Sequence, residues 1–106
     1  MIGLAMLLVA TAPQQEPAMM YGFPSAQSCG DWIAERRGSG QALQAWVLGF
    51  MTGFNFYGPA GSGANDDMSA QSIISYVDGY CDKNRLDSVL QATVALVKDV
   101  RKRRGR

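Results

Sequence analysis

The sequence predicts an all-α fold, a compact bundle of four helices closed by one disulfide between Cys29 and Cys81. Three observations predict it. Apolar residues recur at steps of three and four in four separate segments, the period of one helix face. Breaks rich in Gly, Ser, Asp and Asn separate those segments. The two cysteines fall on the apolar stripes of the first and third segments, and no strand-like alternation competes with them.

The first helix starts at Ser28, an N-cap, with Asp31 three residues on as a short capping box. Cys29, Trp32, Ile33 and Arg36 follow at i, i+3, i+4 and i+7, and Gly38 ends the helix. Gly38-Ser39-Gly40 is a tight link in which Ser39 caps the second helix, about 41–56. That helix has the stripe Leu43, Trp46, Val47, Phe50 and Phe54, with Gly49 and Gly53 on the adjoining face. Each glycine weakens a helix by about 1 kcal/mol relative to alanine. Close approach of another helix is the usual reason to accept that, so Trp46, Gly49, Phe50 and Gly53 are expected to form a helix-packing face.

Tyr57 to Asn65 is a loop by composition, Tyr-Gly-Pro-Ala-Gly-Ser-Gly-Ala-Asn. Asp66, Asp67 or Ser69 caps the third helix, about 70–80, whose stripe is Ile73, Ile74, Val77, Tyr80 and Cys81. Asp82-Lys83-Asn84 then breaks the chain. Asn84 is expected to cap the last helix, with Asp87 at its third position. Leu86, Val89, Leu90, Thr93, Val94, Val97 and Val100 carry its apolar face, and its C-terminal bases suit the helix dipole.

At the N-terminus, Ile2 to Val9 is an apolar run too short to span a bilayer, followed by the small-x-small site Ala10-Thr11-Ala12. Residues 1–12 therefore read as a signal peptide, although no base precedes the apolar run. The alternative is a hydrophobic helix packed on the domain. Residues 13–27 read as a disordered mature start, 28–100 as the helical domain and 101–106 as a basic tail. Export predicts a periplasmic or secreted protein with no stable membrane insertion after cleavage. It also favours pairing of the two cysteines. The bond would close a loop of about 53 residues, worth about 4 kcal/mol by chain entropy.

Composition narrows the chemistry further. The chain has 106 residues, 47% of them apolar, which fits one domain with a modest core. It has no histidine, and so lacks the commonest general base and metal ligand. Two cysteines alone cannot complete a zinc site. The loop at Gly58 to Gly63 lacks the Gly-Lys-Ser/Thr of a phosphate loop. Asp66 and Asp67 read as caps, and Asp78 and Asp82 as an i, i+4 pair near an exposed helix end. Nothing predicts a cleft between them, so neither pair reads as a catalytic dyad. No catalytic residue, metal or cofactor is expected. From Lys98 to Arg106 six bases meet one acid, a local charge of +5, and the residues before them sum to −4. An exported chain seldom meets nucleic acid, so this tail reads as a solvated helix end and not as a nucleic-acid site.

Three runs carry a family resemblance: Ser28-Cys29-Gly30-Asp31-Trp32, Trp46-x-x-Gly49-Phe50-x-x-Gly53, and Ile74-x-Tyr76-Val77-Asp78-x-Tyr80-Cys81. Over about 28–97 the chain resembles small exported proteins of Proteobacteria. These are similar to the immunity proteins that neutralise type VI secretion amidase effectors, and more distantly to the HdeA acid-stress chaperones. The resemblance implies a non-enzymatic protein-binding module. Its partner would be a secreted effector, or an unfolded client in the acid-activated alternative. A homodimer is compatible with either. The expected partner-binding residues are Tyr57, Asp66 and Asp67.

Overall fold

The computed structural model describes residues 21–22, 27–59 and 63–104. The signal-peptide reading of residues 1–12 lies outside them, as does most of the disordered mature start. The described chain forms four helices: α1 (Cys29–Arg37), α2 (Ala42–Tyr57), α3 (Ala70–Lys83) and α4 (Val89–Arg103). The described residues include no strand, only an isolated antiparallel bridge between Ser28 and Ser88.

The bridge joins two helix starts. The first N–H groups of a helix have no partner within it. Here Cys29 N–H donates to the Asp87 carbonyl at 2.7 Å and Val89 N–H to the Gln27 carbonyl at 2.8 Å. Each start also carries a full capping box. Ser28 accepts from Asp31 N–H while the Asp31 carboxylate accepts from Ser28 N–H. Ser88 and Gln91 repeat the arrangement on α4. Ser88, and not Asn84, is therefore the cap of the last helix. Asn84 closes α3 instead, donating its backbone N–H to Tyr80 and Cys81. α3 thus runs past Tyr80 to Lys83, and Leu86 falls in the turn, 99% exposed, off the apolar face assigned to it.

The start of α2 departs from expectation in a similar way. Gln41 occupies the N-cap position and makes no side-chain cap bond, so Ser39 does not cap the helix. Glu35 of α1 takes over, accepting from Leu43 N–H at 2.8 Å. A carboxylate at a helix N-terminus also complements the dipole.

The disulfide forms as expected between Cys29 and Cys81, both fully buried, with their Cα atoms 4.8 Å apart. It sets α1 antiparallel to α3, so that three residues along α1 face three residues back along α3. Trp32, fully buried, donates its Nε1–H to Asp78 Oδ1 at 2.7 Å. Arg36, one turn further, donates to both Asp78 oxygens, at 2.9 and 3.0 Å. The Arg36 guanidinium holds the Asp78 carboxyl below the usual carboxylate range, with help from Trp32 and against partial burial. Asp78 is thus a latch between helices and not half of an exposed pair with Asp82.

The core is built from Cys29 and Trp32 of α1, Leu43, Val47, Met51 and Phe54 of α2, Ile73, Ile74, Val77 and Cys81 of α3, and Val89, Ala92, Leu96 and Val100 of α4. Thr93 is buried among them and returns its hydroxyl to the Val89 carbonyl. α4 continues beyond Val100 to Arg103, so the basic segment begins inside the helix.

Candidate functional site

α2 is unusual among the four helices. Its sixteen residues, Ala42–Tyr57, contain no charged side chain. A helix with little polarity on any side is normally enclosed on all sides. This one is enclosed on one side only. Leu43, Val47, Met51 and Phe54 enter the core, while Ala42, Ala45, Gly49, Thr52, Gly53 and Phe56 are exposed.

This arrangement corrects the reading of the two glycines. They meet no other helix among the described residues: a Cβ built on Gly49 or on Gly53 finds nothing within 4 Å. The register is rotated from the expected stripe, with Met51 fully buried and Trp46 and Phe50 half-buried at the margin. Their rings pack 5.5 Å apart at 41°. Trp46 also donates its Nε1–H to the Tyr21 carbonyl at 3.1 Å, which ties Tyr21 to this margin.

Aromatic exposure is concentrated at the far end. Phe56 is 61% exposed and Tyr57 90%, with ring centroids 5.9 Å apart. Of the three residues expected to bind a partner, Tyr57 therefore stands free and continuous with the α2 face. Its two companions have structural work. Asp66 Oδ1 accepts from the Asn55 amide at 2.7 Å, and Asp67 pairs with Arg103 at 3.1 Å. Neither caps α3; that role belongs to Ser69, which accepts from Ser72 N–H.

Asn55 organises the turn after α2. Its carbonyl accepts from Gly63 N–H and its Oδ1 from Asn65 N–H, both at 2.7 Å. Arg104 clamps the same turn from α4, donating to the carbonyls of Ala64 at 2.9 Å and Gly63 at 2.7 Å. Part of the basic tail is thus engaged with the domain. Gly63 sits at φ +80°, and a Cβ there would lie 2.7 Å from Asp66 Oδ2. Only glycine suits both the backbone and the space.

Beside the turn, Leu48, Thr52, Asn55, Asn65, Asp66, Met68, Ala70 and Ile73 line an open cleft of about 290 Å³. Sequence reasoning missed it because its walls come from α2, the turn and α3 together. Among the described residues no group of three or more Cys, Asp or Glu is placed to hold a metal ion. No described helix is long and apolar enough to cross a membrane.

No protein-family model, curated protein or solved structure matches this chain. The uncharged outer face of α2 and its aromatic end are the features from which function must be argued.

Proposed function

We propose that the chain is a non-enzymatic protein-binding module that docks its partner on the outer face of α2. One observation carries this reading: α2 is uncharged along its whole length, yet its outer face and the Phe56–Tyr57 pair lie open. An uncharged face that ends in two exposed aromatics suits an interaction site. Exposed aromatics supply large contact area at low entropic cost. The small side chains of Ala45, Gly49 and Gly53 let a partner's backbone approach closely.

The finer reading is an exported immunity-type inhibitor that covers a secreted effector. It draws on the apolar N-terminal run, the cysteine pair and the resemblance in the three sequence runs. Photo-crosslinkers placed at Ala45, Gly49 and Phe56 in producing cells test the docking face, with Gln71 and Ser75 on α3 as controls. The expected result is one dominant adduct from the α2 positions, identified by mass spectrometry as a secreted enzyme that the purified chain inhibits. Equal labelling from the α3 positions would reject α2 as the docking face.

A second reading, an acid-activated holdase, is favoured by the use made of the carboxylates. Asp31, Glu35, Asp66, Asp67, Asp78 and Asp87 each accept a hydrogen bond that secures a helix end, a turn or a helix pair. Arg36 holds the Asp78 carboxyl below the usual carboxylate range, so its protonation in acid would release the α1–α3 latch while the bases keep their charge. Retained helical signal at pH 2–3, with clients still precipitating, would count against it.

A further inference from the structure

The cleft beside α2 has a definite chemical character. One wall is the flank of α2, where Leu48, Thr52 and Asn55 follow one another at steps of four and three. The opposite wall is formed by Met68, Ala70 and Ile73 at the entry to α3. Leu48, Met68 and Ile73 make much of its lining apolar.

Its polar end offers acceptors. Asp66 is exposed; its Oδ1 is taken by Asn55, and Oδ2 has no donor among the described residues. Thr52 spends its hydroxyl hydrogen on the Leu48 carbonyl at 2.7 Å, so the oxygen faces a ligand only as an acceptor. Asn65 is 6% exposed, and its Oδ1 lies buried without a donor among the described residues. Buried polar atoms nearly always have partners, so such an atom calls for an explanation. Among the described residues no basic side chain lines the cleft. Arg103 nearby is committed to Asp67, and Arg104 to the turn carbonyls.

We infer that this cleft receives an ammonium group on an aliphatic stem, the side chain of a lysine on the segment that docks against α2. The stem would lie along Leu48, Met68 and Ile73. The three hydrogens of the ammonium would meet Asp66 Oδ2, Thr52 Oγ1 and, after a small rotation of its amide, Asn65 Oδ1. Long cationic side chains bury their methylenes and keep the charged head at a polar rim, which this shape allows. An anion would instead face the Asp66 carboxylate. The inference rests on the docking reading for its source of lysine, and deepens it by naming one residue type the partner must present.

The test uses the isolated full chain and a stated probe, Nα-acetyl-lysine amide, followed by nuclear magnetic resonance. Saturable shifts are expected at the Asn65 and Asp66 amides and at the Asn65 side-chain amide. Nα-acetyl-norleucine amide, which keeps the stem and lacks the charge, should bind about tenfold more weakly, the factor one charge-assisted hydrogen bond supplies. Inorganic phosphate should leave these signals unmoved. Asp66→Asn keeps an acceptor for Asn55 but loses the charge, and should weaken lysine-amide binding by a similar factor. Thr52→Lys, on an exposed position of α2, should fill the cleft from within and abolish binding while the helical signal stays intact. Equal binding of the norleucine probe, shifts caused by phosphate, or full binding by Thr52→Lys would each overturn the assignment. These readouts need no partner, so they fail or succeed separately from the crosslinking at Ala45, Gly49 and Phe56.

Discussion

At the scale of single residues, the fold is secured by polar contacts that join distant parts of the chain. Asp78 is the clearest. It takes the Trp32 indole N–H and both ends of the Arg36 fork, and so latches α1 to α3 beside the disulfide. Asp78→Ala would leave the buried Trp32 N–H without an acceptor, a loss of about 1–3 kcal/mol measurable by urea denaturation. The pH dependence has a definite sign. The Asp78 carboxyl is held below its ordinary range by Arg36. Its contribution is therefore present above the unfolded carboxylate value, about pH 4, and is lost as pH falls through the lowered folded value. Melting temperature should drop more steeply between pH 5 and 2 in the parent chain than in Asp78→Asn. Gly63 is a second such point: Gly63→Ala places a methyl against Asp66 at positive φ, and should cost about 1–2 kcal/mol by the same denaturation measurement.

Elements show which local signals could be read and which could not. α1 was legible throughout, because its signals are local: Ser28 and Asp31 cap each other at its start, and Gly38 closes its end on the Glu35 carbonyl. The start of α4 is ambiguous in sequence because Asn84 with Asp87 has the same spacing as Ser88 with Gln91. The choice between them is made by the Ser28–Ser88 bridge, a contact across the fold. Likewise α2 takes its cap from Glu35 of another helix, which no local pattern reveals. The α4 assignment predicts that Ser88→Ala costs about 1 kcal/mol and Asn84→Ala much less at that helix, as seen in thermal melts. Tyr80 adds a further tie here. Its hydroxyl donates to Asp87, and that bond, more than burial, raises the Tyr80 pKa.

For the whole molecule, the disulfide and the four-helix arrangement were legible because both follow from apolar period and cysteine placement. The site was legible only in part. Gly49, Gly53 and Tyr57 lie on the proposed docking face, but periodicity could not say that the glycines face outward, since glycine carries no side chain to mark a face. Asp66 and Asp67 have the sequence position of caps because they precede a helix, whereas Asn55 and Arg103 claim them across the fold. Reducing the Cys29–Cys81 bond should lower stability by about 4 kcal/mol, a large share of the 5–15 kcal/mol typical of small domains. Helical signal in reductant should then fall well below the oxidised melting temperature.

The proposal makes the outer face of α2 a docking surface that no other described helix packs against. Gly53→Lys tests it most directly, measured for thermal stability and for partner capture on the same preparation. Open space around Gly53 means that the lysine meets no obstacle, and losing a helical glycine favours the fold by about 0.5–1 kcal/mol. The expected result is a melting temperature equal to or above that of the parent chain, together with loss of the adduct formed through Ala45, Gly49 and Phe56. A lowered melting temperature with capture unchanged would contradict it.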